Sequence, residues 1–205
     1  MLKKFAVQLG IFIALVLLVI ATMVYPGGSL SDKNAVGFDW SKNFISNLFG
    51  EKSVNGAPNP SRIWADTGMM FLAASFALFF IRFSKKIPAK GPAQIVRYLG
   101  VGGMLFTFLI VTPLHDIMVN LSSTLFLVSI FYITVFIFKS RLHLFKFLCT
   151  GCLLVFYYTL YLYGSGSYLW LPVMQKITFL SVVILIVGLD LFTKEADFTN
   201  KQPAG

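Results

Sequence analysis

Six stretches of roughly twenty apolar residues, separated by polar segments, constrain this chain more than any other feature. A bilayer core of about 30 Å is crossed by about 20 helical residues, and each must be apolar enough to live among lipid tails. The runs fall at about Phe5–Tyr25, Ile63–Phe83, Tyr98–Leu114, Ile117–Phe138, Phe147–Tyr163 and Leu171–Phe192. With 57% hydrophobic and 12% charged residues, the composition lies far outside that of soluble domains. The expectation is an all-α, polytopic integral membrane protein of six transmembrane helices, forming one domain over residues 1–205. A cleaved signal peptide is not expected, because the first run is too long for a signal h-region and "ATMVYPGG" has no small-x-small cleavage site.

Orientation follows from the positive-inside rule. If the N-terminus is inside, Lys3, Lys4, Arg82, Lys85, Lys86, Lys90, Arg97, Lys139, Arg141, Lys146, Lys194 and Lys201 share that side, twelve of the seventeen basic residues. The reading is a plasma-membrane protein with both termini cytoplasmic and the polar tail 193–205 inside. Trp40, Trp64, Trp170, Tyr161, Tyr163 and Tyr168 then gather on the outer side as an aromatic belt. The net charge of +9 is explained by this bias and by attraction to anionic lipid, so no nucleic-acid partner is implied.

Between the first two runs lies a polar outer loop, residues 26–61, containing the amphipathic stretch "FDWSKNFISNLFG". Its Phe38, Trp40, Phe44, Ile45, Leu48 and Phe49 predict a short helix lying on the membrane or capping the bundle. A long loop of this kind is usually functional or disordered.

The order "YPGGS", "NFISNLFG" and "NPSRIWADTGMMFLAASF" resembles the bacterial membrane family called domain of unknown function 998. It is also similar to the DRAM-like and Sfk-like membrane proteins, which are linked to lipid handling. The likeness covers about the first 85 residues. It departs from the family where Asn47 replaces an acid and Phe49 separates Leu48 from Gly50. The resemblance implies a six-helix membrane fold of undetermined chemistry.

Chemistry is sought where polar groups enter apolar surroundings, because a charge at mid-bilayer costs about 2.5 to 3.5 kcal/mol on the insertion scale. "TPLHDIMVNLSS" sets His115 and Asp116 in a tight outer turn, with Asp116, Asn120 and Ser123 spaced i, i+4 and i+7 along one helix face. Asp66 opens a stripe of small residues in the second helix, and Lys176 enters the sixth at similar depth. These six residues are expected to converge near the outer leaflet beneath Ser46 and Asn47. Such a cluster suits a lipid headgroup, with Lys176 facing phosphate and the carboxylates facing an amine. The alternatives are a metal-dependent lipid hydrolase, as in membrane hydrolases related to alkaline ceramidase, a small-solute transporter, an accessory subunit contacting membrane-protein partners through the aromatic loop, or a merely solvated turn. One outer histidine is few for a metal site. Cys149 and Cys152 form a C-x-x-C inside an apolar helix on the reducing side and read as packing residues. No cofactor motif stands out, and Gly100 and Gly103 suggest a close helix contact rather than a nucleotide loop.

Overall fold

The computed structural model describes residues 4–199; Lys3, Lys201 and the end of the polar tail lie outside them. Those residues form seven α-helices and no strands: α1 (Ala6–Met23), α2 (Ser61–Ser84), α3 (Lys90–Leu109), α4 (His115–Phe138), α5 (His143–Gly164), α6 (Leu171–Phe192) and the short α7 (Ala196–Thr199). All except α3 and α7 are long and apolar enough to cross a membrane, which gives five candidate spans. Their outward faces carry Phe12, Phe131, Phe147, Leu154, Leu180 and Ile184, all more than half exposed. An apolar surface of this extent belongs against lipid, and the chain is a membrane protein.

The α3 helix differs from its sequence expectation. It begins eight residues before Tyr98, with Pro92 accommodated in its first turn, and ends before Pro113. Lys90, Gln94 and Arg97 make its opening turns polar, so its apolar part is short. The fifth run also starts earlier, at His143.

Small residues set the helix contacts. A Cβ on Gly10 of α1 would stand 2.0 Å from Ser75 Oγ of α2, and one on Gly100 of α3 would stand 2.2 Å from the Phe80 ring. Gly68 lies against α1 and Gly103 against α4 in the same way. The core between these helices is built from Phe76, Phe79, Phe80, Phe83, Phe126, Ile130 and Ile133. Hydroxyls within it are satisfied by their own helices, as where Ser75 donates to Phe71 O, Ser129 to Leu125 O and Thr134 to Ile130 O. That pattern lets polar side chains sit in an apolar bundle at little cost. Both cysteines are buried and free.

One end of the bundle is closed by the segment joining α1 to α2; the other carries α7. At the α7 end, Asp190 accepts from Gln8 Nε2 at 2.8 Å and pairs with Arg82 at 3.5 Å. Lys86 Nζ reaches Leu189 O, Asp190 O and Thr193 Oγ1, capping the carbonyl end of α6. Burial holds the Lys86 ammonium below its ordinary pKa, against the opposing pull of Asp190 and Asp197.

Candidate functional site

The α1–α2 segment forms the roof of the site, and asparagines hold it together. Only Ile45–Phe49 is helical, a single 3-10 turn, which is less than the amphipathic pattern predicted. Leu48 and Phe49 are buried beneath it, while Trp40 remains exposed. Gly27 and Gly28 take φ of 138° and 83°, and a Cβ on either would press within 2.4 Å of the facing backbone. Only glycine fits both demands, which gives the "YPGGS" step its physical reason.

Asn43 is fully buried, donating to Gly28 O at 2.6 Å and accepting from Asp39 N at 2.9 Å. Asn59 Nδ2 faces three carbonyls, Asn47 O, Leu48 O and Gly50 O, at 3.3, 3.2 and 2.9 Å. Its Oδ1 accepts from Ser61 N at 3.2 Å. The Tyr25 hydroxyl accepts from Val54 N at 3.1 Å and donates to Gly28 O at 3.4 Å; burial pushes its pKa up while the Val54 N–H opposes that. Two neighbours on α6 tie the roof to the bundle. Gln175 Oε1 accepts from Ile45 N at 2.8 Å, and Lys176 Nζ donates to Asn43 O at 2.6 Å.

Beneath this roof lies a cavity of about 500 Å³ walled by α2 to α6. His115, Asp116, Tyr163, Tyr168 and Gln175 line its roof end, and Met69, Leu72, Phe76, Met104, Phe126, Phe156 and Phe179 line the rest. Asp116 and Phe126 are ten residues apart on α4, so the lining turns from polar to apolar over about 15 Å of depth. Four hydroxyls on the intermediate wall are already engaged: Ser122 donates to Val119 O, Thr107 to Gly103 O, and Thr159 meets Thr178 at 2.7 Å. At the polar end His115 Nδ1 lies 3.0 Å from Asp116 Oδ1, and Tyr163 donates to the same oxygen at 3.3 Å. Asp116 remains 78% exposed at its side chain.

Of the residues singled out in the sequence, Ser46, His115, Asp116 and Ser123 come together on this cavity. The other four do not line it. Asn120 is exposed, because the lining face of α4 runs through Asp116, Val119, Ser122, Ser123 and Phe126. Asp66 pairs with Arg62 at 3.5 Å, and Arg62 also binds Glu51 at 3.0 Å. Lys176 is taken up by Asn43 O and by Pro172 O at 2.8 Å, with its ammonium 5.7 Å from the centre of the Phe38 ring. Asn47 accepts from Phe44 N at 2.7 Å, a turn-closing role. Sequence reasoning passed over Gln175, Tyr163 and Tyr168 as site residues; their signal was the cluster of tyrosines and the polar pair at the start of α6.

No set of three or more His, Cys, Asp or Glu residues that would hold a metal ion occurs among the described residues. Comparison with protein-family models, with curated proteins and with solved structures finds no match for this chain.

Proposed function

We propose that this protein is a six-span plasma-membrane protein that binds a membrane lipid in the cavity beneath its α1–α2 loop. The observation carrying this reading is the cavity's own gradient: a polar end at His115, Asp116 and Tyr163, and a deep apolar end at Phe76, Phe126 and Phe156. That is the shape of an amphiphile. Its volume lies within the roughly 300–1,000 Å³ of small-molecule sites. In this reading α3 makes the sixth crossing with its polar start at the cytoplasmic interface, the loop is outside, and both termini are inside, in keeping with the basic bias. The resemblance of the first 85 residues to the domain of unknown function 998 belongs to the same proposal. No catalytic step is assigned.

Native mass spectrometry of the purified protein tests it. A bound lipid should survive mild detergent and be lost from Ser123→Phe, which fills the cavity wall. Equal lipid retention by the two proteins would refute the cavity as the binding site. A second reading, an accessory subunit, draws on Val36 and Trp40, which are 95% and 55% exposed on the loop. Stoichiometric copurification with a membrane partner, lost on Trp40→Ala, would favour it.

A further inference from the structure

Resting on that lipid-binding reading, we infer that the cavity selects a single-chain amphiphile with an amine headgroup and discriminates against anionic lipids. Charge carries the inference. The chain has seventeen lysines and arginines, yet among the described residues none lines the cavity, and Asp116 is the one formally charged residue that does. Lys176 of α6 spends two of its three N–H donors on the Asn43 and Pro172 carbonyls, while its neighbour Gln175 takes the lining position. A phosphate or carboxylate headgroup would therefore meet a carboxylate with no lysine or arginine on the lining to balance it. An ammonium meets the reverse: the Asp116 carboxylate, its Oδ1 held by Tyr163 and His115 and its Oδ2 left to the ligand, with Tyr163 and Tyr168 also on the lining. Aromatic faces beside a carboxylate are the usual surroundings of a bound alkylammonium. The volume of about 500 Å³ suits one alkyl chain with a compact headgroup rather than a two-chain phospholipid.

The test is competition against radiolabelled monopalmitoylglycerol on the protein in phosphatidylcholine nanodiscs. Hexadecylamine, unlabelled monopalmitoylglycerol and palmitate are the competitors, and Ser123→Phe nanodiscs correct for partition into lipid. For a largely exposed ion pair, the amine should compete about two- to fivefold more strongly than the neutral probe, and palmitate correspondingly less. Asp116→Asn should collapse the amine's advantage. Palmitate competing as well as the amine, or a ranking unmoved by Asp116→Asn, overturns the charge selectivity while leaving lipid binding standing. Absence of saturable monopalmitoylglycerol binding overturns the single-chain inference, and the lipid reading falls with it where native mass spectrometry also finds no retained lipid.

Discussion

Replacing Asn59 with alanine should release the cavity roof while leaving the helices in place. The Asn59 amide supplies two N–H donors to the carbonyls of Asn47, Leu48 and Gly50, and its oxygen receives the Ser61 amide. Alanine removes about three hydrogen bonds' worth of interaction at about 1 kcal/mol each, so about 3 kcal/mol is lost. Because every 1.4 kcal/mol is a factor of ten, local opening of the loop should rise about a hundredfold. Hydrogen–deuterium exchange of residues 45–61 in the purified protein reads this directly, with α2 and α4 as internal references. Asn59→Asp keeps the acceptor but turns a carboxylate toward three carbonyls, so it should open the loop at least as much. Loop exchange unchanged in Asn59→Ala would refute the assignment of the roof's stability to this residue.

Three further outcomes follow from the packing and the charges. Gly100→Ala drives a methyl into the Phe80 ring, which is fully buried against Phe79 and Phe126, and should cost about 1–3 kcal/mol; thermal unfolding followed by tryptophan fluorescence checks this, with Gly151→Ala, where nothing lies within 4 Å, as the control that carries only the helix-propensity gain of alanine over glycine. Lys86→Met removes the cap on the carbonyls of Leu189 and Asp190 and should lower stability by about 1–2 kcal/mol in the same assay; an unchanged melting temperature would count against that cap. Asp39 accepts from the Ser41 amide and hydroxyl at 2.8 and 2.6 Å, and these bonds hold its pKa below the ordinary value. A carboxylate with a depressed folded pKa contributes stability above its unfolded pKa of about 3.9 and loses it as pH falls through the folded value. Exchange in residues 38–43, corrected for the intrinsic rate, should therefore accelerate below about pH 4, and Asp39→Asn should abolish that dependence.

The five membrane-length helices were legible because their apolar runs are long and carry few charges. The boundaries of α3 were not, since Lys90, Gln94 and Arg97 hide a helical start from any reading keyed to hydropathy. Spacing grouped Asp116 with Ser123, and both line the cavity, yet it could not choose between neighbours on a helix. One residue is a turn of about 100°, and that angle sends Lys176 to the Asn43 carbonyl while Gln175 takes the lining position. Asn120 lies about 40° around α4 from Asp116, just beyond the lining arc that runs from Asp116 through Val119 to Ser122. The roles of Asn43 and Asn59 escaped for another reason. Asparagine in a loop reads as a turn residue, and only the folded backbone brings the carbonyls that these amides satisfy.

The Ile45–Gln175 and Asn43–Lys176 bonds join positions 130 and 133 residues apart. A polypeptide is synthesised from its N-terminus, so the roof exists in the growing chain long before the helix that fastens it. During that interval the apolar undersides of Leu48 and Phe49 have α2 to rest on, whereas the side toward α6 stays open. Closure of the chamber is thus a late event in biogenesis, and a ribosome stalled before residue 175 would carry a bundle whose chamber is still ajar.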